Sequence, residues 1–304
     1  MNYKHLHYFW TVVHTGSIAR ASEQLHLTPQ TLSSQIKQLE ARMGQSLLRK
    51  AGRGLEPTEA GRLVMQYADG IFALGGELEV ALRSGKDGRQ TPLFRVGITD
   101  SVPKSVAYRV VEPGIRSEPL PRLTCTQGKL SSLLAELAVH RLDLVISEVP
   151  VPANLSVRLF SHALGQTSVS FFVSPALLKK GGLLLRDARK RFPASLQTLP
   201  LLLPGAESAL RGRLEGWLVS HGLAPQVSGE FNDSALMKHF GREGLGVFAA
   251  PTVLEAEICH QYGVVSMGAA PDLREEFYAI SIERRIRHPA IAAITAFARN
   301  ELFH

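Results

Sequence analysis

The sequence predicts two parts: a small, mainly α-helical N-terminal domain that continues into one long helix, and a larger C-terminal α/β domain. Three observations predict this division. Residues 1–57 show helical spacing of apolar residues, residues 58–84 extend that spacing, and short apolar runs alternate with helical segments from residue 93 onward. Residues 85–92 between them are polar and turn-forming, which predicts a hinge. A chain of 304 residues is long enough for two domains with separate cores.

Composition excludes several classes of protein. Hydrophobic residues make up 45% of the chain, yet no stretch approaches the roughly 18 consecutive apolar residues of a membrane helix. The first residues lack the apolar segment of a signal peptide. Two cysteines, Cys125 and Cys259, are too few for a disulfide framework, so we expect a cytoplasmic protein.

The positive charge is concentrated at the N-terminus. Residues 1–57 hold seven basic and three acidic side chains, a net +4 of the chain's +7. A basic segment is typical of a nucleic-acid-binding domain, and equally of a solvated basic surface. The order of residues within the segment has to decide between them.

That order predicts three helices. The first has an apolar face at helical spacing and ends at Gly16, and Ser17 caps a second helix. Thr28 and Pro29 suit the N-cap and first position of a third helix, which runs to about Met43. The side chains expected to be buried are Leu6, Phe9, Trp10, Val13, Ile18, Ala21, Leu25, Leu32, Ile36, Leu39 and Met43.

The third helix exposes polar side chains near its N-terminus. Amide and hydroxyl groups of this kind bond base edges in the major groove, and the backbone amides of a helix N-terminus attract phosphate. Two helices, a short turn and a polar-faced helix form the helix-turn-helix plan, although a plain three-helix bundle fits the pattern as well. The candidate DNA-binding residues here are Thr28, Pro29, Gln30, Thr31, Ser33, Ser34 and Lys37.

A short basic hairpin follows the third helix. Residues 47–50 and 54–57 flank a Gly52-Arg53-Gly54 turn, which predicts a two-stranded wing. Arg49, Lys50 and Arg53 would meet the DNA backbone or the minor groove from there. A hairpin that merely carries solvated charge is the alternative.

These features together resemble the winged helix-turn-helix domain of LysR-type transcriptional regulators. The resemblance is dense over residues 1–65, and it departs at Ser34, where many members carry Arg, and at Pro29-Gln30. It implies a DNA-binding regulator whose base-reading set is Gln30, Thr31, Ser33 and Ser34. The residues that carry it are Phe9, Gly16-Ser17, Ala19, Ala21, Leu25, Thr28, Leu32-Ser33, Gln35-Ile36, Gln38-Leu39-Glu40, Gly44, Leu47-Leu48, Arg49 and Pro57-Thr58-Glu59-Ala60-Gly61.

Longer segments resemble the sodium/proton-antiporter regulators within that family. They include HLHYFWTVVHTGSI, LTPQTLSSQIKQLEARM, KAGRGLEPTEAGRLVMQYAD and GEFNDSALMKHFG, and the likeness extends over nearly the whole chain. This resemblance implies an activator of a Na⁺/H⁺ antiporter gene that responds to sodium. It further implies promoter DNA, self-association as a homodimer or homotetramer, and RNA polymerase as partners.

The long helix carries an apolar stripe close to a heptad repeat. A stripe of this spacing predicts a dimerisation helix over residues 58–84, although it also fits a helix that packs on its own domain. The members of the stripe are Leu63, Tyr67, Ile71, Leu74, Leu78 and Leu82.

The remaining residues, 93–304, predict a parallel α/β sheet. This part resembles the family's effector-binding domain, which is similar to periplasmic solute-binding proteins. The resemblance implies lobe I from residues 93–164 and 270–304, and lobe II from residues 165–269, joined by two crossovers.

In such sheets, ligands bind at the carboxyl ends of strands and at helix N-termini. Polar residues follow several predicted strands, and Phe248 is predicted to line the wall. The candidate effector-binding residues are Thr99, Asp100, Ser101, Gln127, Gly128, Ser147, Glu148, Gly205, Glu207, Ser208, Asn232, Asp233 and Phe248.

Four of these candidates are carboxylates, and hard cations prefer oxygen ligands. Asp100, Glu148, Glu207 and Asp233 therefore form a candidate cation site, or else are N-caps and solvated loop residues. Neighbouring carboxylates also raise each other's pKa, which would permit a response to pH.

No catalytic pattern is present: the sequence lacks GxSxG, HExxH, Walker A and CxxC motifs. We therefore expect no enzyme, no cofactor and no metal centre, apart from sodium as an effector. Two alternatives stay open, namely a family regulator of another operon with a small organic effector, and a solute-binding protein.

Overall fold

The fold is described from a computed structural model, which covers residues 1–51, 54–84, 92–116, 120–153 and 158–303. The chain divides into two compact units. One comprises Met1–Gln90 with Val139–Arg141, and the other comprises Thr91–Ala138 with Leu142–His304. Among the described residues, no helix is both long and apolar enough to span a bilayer. Most of the predicted hinge, residues 85–91, lies outside the described ranges.

The first unit contains three short helices, a hairpin and a long helix. The helices are α1 (Tyr3–Thr15), α2 (Ile18–Gln24) and α3 (Pro29–Met43). They are followed by β1 (Leu48–Ala51), β2 (Gly54–Pro57) and α4 (Glu59–Ser84). The predicted helix boundaries are confirmed: Gly16 ends α1 in the left-handed conformation, and the Thr28 hydroxyl caps α3 by accepting from the amide of Thr31.

The core of this unit is built from the apolar faces that the helical spacing predicted. Phe9, Leu32 and Leu39 are almost completely buried there, because the three helices turn these side chains toward one another. The prediction for Met43 was wrong, since its side chain is 36% exposed. Met43 is the last residue of α3, so no following turn covers it.

The hairpin is antiparallel, with Arg49 opposite Glu56 and Lys50 opposite Leu55. Glu40 anchors it to α3, because its Oε1 accepts the backbone amides of Leu47 at 2.7 Å and Leu48 at 3.1 Å. The predicted two-stranded wing is therefore confirmed for the residues that the structure describes. The turn residues Gly52 and Arg53 lie outside them.

Helix α4 has two apolar faces. Ala68 is buried, and Val64, Ile71 and Phe72 pack against the core of the first unit. Ile71 was predicted in the dimerisation stripe, and the structure places it on the face that packs on its own domain. The other stripe residues are exposed: Leu63 by 55%, Tyr67 by 44%, Leu74 by 52% and Leu78 by 60%. The side chain of Leu82 lies outside the described set.

The second unit alternates strands and helices. Its strands are β3 (Leu93–Thr99), β4 (Arg122–Gly128), β5 (Leu144–Ser147), β6 (Phe160–Val173), β7 (Leu201–Pro204), β8 (Val227–Phe231), β9 (Phe248–Pro251) and β10 (Val265–Ser281). Its helices are α5 (Lys104–Ile115), α6 (Leu130–Ala138), α7 (Pro175–Lys180), α8 (Leu185–Lys190), α9 (Ala209–Ser220), α10 (Ser234–Arg242), α11 (Glu255–Tyr262) and α12 (Pro289–Phe297).

The main sheet is mixed, which corrects the prediction of a parallel sheet. Its order is β4-β3-β5-β10-β6-β9, and β7-β8 form a second, parallel pair. Strands β4 and β5 lie parallel to β3, whereas β10 runs antiparallel to both β5 and β6. Strands β6 and β10 are far longer than predicted, because their register continues through bulges at Gly165 and between Ala270 and Arg274.

The two long strands connect the two lobes. The first residues of β6 and the last of β10 pair beside β5, whereas β9 pairs with the final residues of β6. Separate apolar clusters flank the sheet, one around Val110 and Phe277 and another around Phe171 and Leu214. A cleft lies where the strand ends of the two lobes face each other.

Candidate functional site

The outer surface of α3 presents the predicted polar residues. Gln30, Thr31, Ser34 and Lys37 are exposed, and Ser33 is half-buried. The Thr31 hydroxyl lies 2.8 Å from that of Thr28, so the N-terminal turn is held by its own side chains. Gln30, Ser34 and Lys37 present amide, hydroxyl and ammonium groups to solvent over about two turns of the helix, which is the chemistry required for reading base edges and contacting phosphate.

The wing adds positive charge beside this helix within the same unit. Arg49 and Lys50 are exposed on β1. Arg49 lies 3.4 Å from Glu56 on β2, a pair that is mostly solvated, whereas Lys50 faces Leu55 in the register. Lys50 is therefore the less compensated of the two charges. Arg53 falls outside the described residues.

A cleft of about 910 Å³ lies within the second unit. It is lined where β3, β4 and β5 of lobe I end, and where β7 and β8 of lobe II end. Twelve of the thirteen predicted effector residues line it: Thr99, Asp100, Ser101, Gln127, Gly128, Ser147, Glu148, Gly205, Glu207, Ser208, Asn232 and Asp233.

Phe248 does not line the cleft, so this prediction was wrong. Its ring is completely buried and stacks on Phe172, with ring centroids 5.4 Å apart. Residue 248 begins β9 beside β6, and its side chain points into the apolar core of the sheet. A hydrophobic run after Gly246 signals a buried strand, and spacing cannot tell which of its faces meets a cavity.

Two of the four candidate carboxylates have local partners, and a third is exposed. Asp233 caps α10, since its Oδ1 accepts from the amides of Ala235 and Leu236 at 2.7 and 2.9 Å. The Leu236 bond, with that of Ala235, lowers the pKa of Asp233. Glu207 lies 2.9 Å from the ammonium of Lys129, and Asp100 is exposed at a turn after β3.

The proposed cluster of four carboxylates is therefore not a single site. In the described ranges, no group of three or more His, Cys, Asp or Glu side chains is placed to hold a metal ion. The alternative reading, N-caps and solvated residues, describes Asp233, Glu207 and Asp100.

Glu148 differs from the other three because it is 97% hidden, with only 3% of its surface exposed. Its Oε1 accepts from the backbone amide of Ala209 at 2.7 Å, which joins the end of β5 to the first turn of α9. Burial raises the pKa of Glu148, and the Ala209 bond opposes that rise. Its Oε2 is hidden from solvent, and the Ser101 hydroxyl and the charge of Arg213 also favour the ionised carboxylate.

Sequence reasoning missed two lysines that line the cleft and one buried carboxylate on β10. Lys104 at the start of α5 and Lys129 before α6 line it, and Lys104 lies 3.7 Å from Asp233. Glu275 on β10 is buried near Glu148, and burial together with that neighbour raises the pKa of Glu275 to about 8. The two lysines could have been found by the same rule as the other lining residues, because they follow strand ends. Glu275 lies inside a strand, so that rule does not find it.

Comparison with known proteins then decides the family. Residues 3–62 match the model described as bacterial regulatory helix-turn-helix protein, lysR family, and residues 87–303 match the LysR substrate binding domain. The chain belongs to the LysR family of bacterial transcriptional regulators. As a LysR-family regulator it binds DNA through the winged unit, and its relatives are regulators rather than enzymes.

Curated relatives match all or most of the length of this LysR-family regulator. It is 38% identical over 304 residues to the transcriptional activator protein NhaR of Escherichia coli, covering 100% of this chain and 97% of that protein. It is 25% identical over 268 residues to the nitrogen assimilation regulatory protein nac of the same organism, covering 85% and 81% respectively. The earlier resemblance to NhaR-type regulators is thereby confirmed.

Solved structures confirm the fold. ArgP from Mycobacterium tuberculosis matches with a TM-score of 0.66 at 20% identity, covering 99% of this chain and 98% of that one. Full-length CbnR complexed with its target DNA matches with a TM-score of 0.60 at 19% identity, covering 98% and 99%. The predicted combination of a winged helix-turn-helix domain and a two-lobed α/β domain is therefore correct.

Proposed function

We propose that this regulator activates a Na⁺/H⁺ antiporter gene in response to sodium and pH, and that it acts in the cytoplasm together with RNA polymerase. The observation that carries the proposal is the full-length identity to NhaR of E. coli, which extends through the effector domain. Similarity in that domain matters most, because the effector domain determines the signal to which a regulator responds.

The DNA contacts are assigned from exposure and chemistry. Gln30, Thr31, Ser33 and Ser34 read base edges from α3. Thr28 and Pro29 bring the helix N-terminus to a phosphate, and Lys37, Arg49, Lys50 and Arg53 add positive charge along the backbone.

Self-association is assigned to α4. Four large apolar side chains, Leu63, Tyr67, Leu74 and Leu78, are each more than two-fifths exposed along one helix face. A second copy of α4 would bury them at nearly heptad spacing. The resulting homodimer presents two winged units to two half-sites, and pairing of dimers gives a homotetramer.

The signal enters through the cleft between lobes I and II. Because β5 and α9 are joined there by the Glu148–Ala209 bond, a ligand that changes this contact shifts the balance between open and closed lobes. That shift is transmitted to the arrangement of the winged units on DNA, and so to the promoter.

One specific observation favours a second candidate, a small organic effector controlling another operon. Lys104 and Lys129 line the cleft, and a cavity of about 910 Å³ holds a ligand much larger than a metal ion. A carboxylate-bearing organic molecule would pair with these ammonium groups.

A footprinting experiment over the upstream region of the neighbouring genes separates the two candidates. We expect the protected pattern to change with sodium chloride and not with choline chloride or small organic acids. A pattern that changes only with an organic acid would establish the second candidate. A footprint that stays the same with sodium and with organic acids would contradict both candidate functions.

A further inference from the structure

Both tryptophans of the chain lie in the same local arrangement, one in each compact unit. In the first unit, Nε1 of Trp10 on α1 donates to Oδ1 of Asp69 on α4 at 2.7 Å. The next turn of α1 places the ring of His14 beside the indole, with ring centroids 4.3 Å apart. Nε2 of His14 lies 3.7 Å from the same oxygen of Asp69. A tryptophan, a histidine four residues later and an aspartate from another element therefore form one group.

The second unit repeats this Trp–His–Asp group on α9. Nε1 of Trp217 donates to Oδ1 of Asp272 on β10 at 2.9 Å. His221 follows the tryptophan by four residues, and its ring centroid lies 4.5 Å from that of the indole. Nε2 of His221 lies 3.7 Å from Oδ2 of Asp272. The same three residue types thus meet at nearly the same distances in two different parts of the fold.

The backbone determines which histidine nitrogen carries the proton in these groups. Nδ1 of His14 lies 3.1 Å from the carbonyl oxygen of Trp10. Nδ1 of His221 lies 2.9 Å from the carbonyl oxygen of Trp217. A carbonyl oxygen can only accept, so Nδ1 is the donor in both bonds, and Nε2 of the neutral ring is an unprotonated nitrogen near a carboxylate. A second proton, taken up at Nε2, converts this contact into an ion pair.

The two groups differ in how well solvent screens that ion pair. The side chain of Asp69 is only 16% exposed, whereas that of Asp272 is 60% exposed. Solvent weakens the attraction between exposed charges, so a charge on the histidine acts more strongly where its aspartate is shielded. His14 itself is 49% exposed, so its ring exchanges protons with solvent. The group in the first unit is therefore the better placed to respond to pH.

Two further groups bear on the charge of this site. Arg141, which belongs to the first unit, pairs with Oδ2 of Asp69, the oxygen that His14 does not approach. An arginine keeps its charge at every physiological pH. The ring of His7 stacks on Trp10 with centroids 5.7 Å apart, so His7 is a second histidine in contact with the indole. Any response to pH near neutrality has to be divided between His7 and His14.

The group joins the two helices on which the DNA-binding unit depends. α1 packs on α3 in the core of that unit, and Asp69 belongs to α4, the helix to which self-association is assigned. We propose that Trp10, His14 and Asp69 form a proton-sensing site that holds α1 against α4 more firmly as the pH falls. The inference rests on the proposed response to pH and gives it a location outside the effector cleft. In a dimer, the seating of α1 on α4 sets the spacing of the two recognition helices, so protonation of His14 favours operator binding.

The first test follows the tryptophan emission of the purified full-length protein without DNA, from about pH 5 to 8, the range in which histidine titrates. The chain has only two tryptophans, so the emission reports on these two groups. A positive charge on a ring that touches an indole changes the emission of that indole. We expect the wild type to titrate, and we expect His14→Gln to lose the part of the titration that comes from Trp10. The matched control His221→Gln should keep that part.

The second test measures affinity for the DNA fragment protected in the footprint, at one fixed salt concentration. We expect the affinity of the wild type to fall by about threefold to fivefold as the pH rises from about 5 to 8. His14→Gln should bind with the weaker affinity at every pH, and His14→Lys with the stronger, because lysine stays charged over this range. Opposite results for two substitutions at one position distinguish the charge from structural damage. His7→Gln and His221→Gln should keep the pH dependence of the wild type.

An emission that does not change with pH, or that titrates in His14→Gln as in the wild type, would overturn the proposal. An operator affinity that is the same at every pH, or whose pH dependence is lost in His7→Gln and kept in His14→Gln, would overturn it as well. Asp69→Asn is an independent check, since it keeps an acceptor for Trp10, removes the charge and should flatten the pH dependence. A promoter that ignores pH and sodium in cells, while the emission titrates as expected, would instead contradict the proposed function.

Discussion

The ring of Phe248 stacks on that of Phe172 inside the main sheet, with the ring planes 20° apart. Both side chains are completely buried. This stack joins β9 to β6 within the apolar core, and neither ring lines the cleft. The Phe248 ring also leaves no room for a side chain at Gly241 on the neighbouring helix α10.

Replacing that glycine should destabilise the effector domain. A Cβ at Gly241 would lie 2.3 Å from Cδ1 of Phe248, and a buried ring has no room to withdraw. We expect Gly241→Ala to lower the free energy of unfolding by about 1–3 kcal/mol, as overpacking does. Gly212→Ala on α9 is the control, because nothing lies within 4 Å of its Cβ, and it should stabilise by up to about 1 kcal/mol. Denaturant unfolding gives the stability of both variants. Equal stabilities of Gly241→Ala and Gly212→Ala would contradict the packing of Gly241 against Phe248.

Gln30→Ala should reduce sequence discrimination. Gln30 is exposed on the first turn of α3 and carries an amide suited to an adenine edge. We expect the affinity difference between operator and mutated operator to shrink by about 1–3 kcal/mol. Binding to both DNA sequences is measured at one fixed salt concentration. If affinity and preference both stayed at wild-type values, α3 would not be the recognition helix.

Lys50→Ala should act on all DNA sequences alike. Its ammonium is exposed on the wing, and a phosphate contact carries no base information. We expect weaker binding to specific and non-specific DNA and a salt dependence flatter by about one unit of slope. Lys180→Ala, an exposed lysine at the end of α7, is the control and should leave the slope unchanged. A sequence-dependent loss for Lys50→Ala would argue against a backbone contact.

Leu78→Glu should weaken self-association. Leu78 is 60% exposed on α4, and a charge there would be buried against the partner helix in a dimer. We expect dissociation at protein concentrations where the wild type is oligomeric, measured by sedimentation. Val219→Glu, at a residue of α9 that is 77% exposed, serves as a control for adding charge to an apolar surface position. An unchanged oligomer would place the interface elsewhere.

Asp233→Ala should cost about 1 kcal/mol of stability, whereas Asp233→Asn should cost little because Asn also caps helices. The folded-state pKa of Asp233 lies below its ordinary 3.8, chiefly through the Leu236 amide bond. The stabilisation from its charge is therefore present above that ordinary pKa and is lost as the pH falls through the lowered one. We expect the free energies of unfolding of the wild type and of Asp233→Asn, measured from about pH 7 downward, to become equal in acid. A difference in unfolding free energy that grew as the pH fell would contradict a lowered pKa of Asp233 in the folded protein.

The sequence predicted the N-terminal unit well because its signals are local. The apolar spacing around Phe9, the cap at Thr28 and the stop at Gly16 each act within a few residues, so they determine helices without knowledge of the rest of the chain. Met43 was placed wrongly, because burial at a helix end depends on which neighbours reach it. Ile71 packs partly against the core of its own unit, and its part in dimerisation stays a prediction.

The cleft was predicted from topology: polar residues after strands meet at one edge when the strands run parallel. That reasoning placed twelve residues correctly on its lining. It failed for Phe248, whose direction from the strand is set by packing. It also missed Lys104 and Lys129, which pair with Asp233 and Glu207 across the cleft.

The sequence by itself determined the family through its resemblance to known regulators. Local spacing predicted the winged helix-turn-helix domain, and strand order predicted the position of the cleft. Only the tertiary structure decided which carboxylates are capped, which are paired with lysine, and which stand unpaired. Lys104 and Asp233, like Lys129 and Glu207, are far apart in the chain and are brought together where the strand ends of the two lobes face each other. Charge interactions act through space, so their outcome is decided by where the chain returns and not by the order of residues along it.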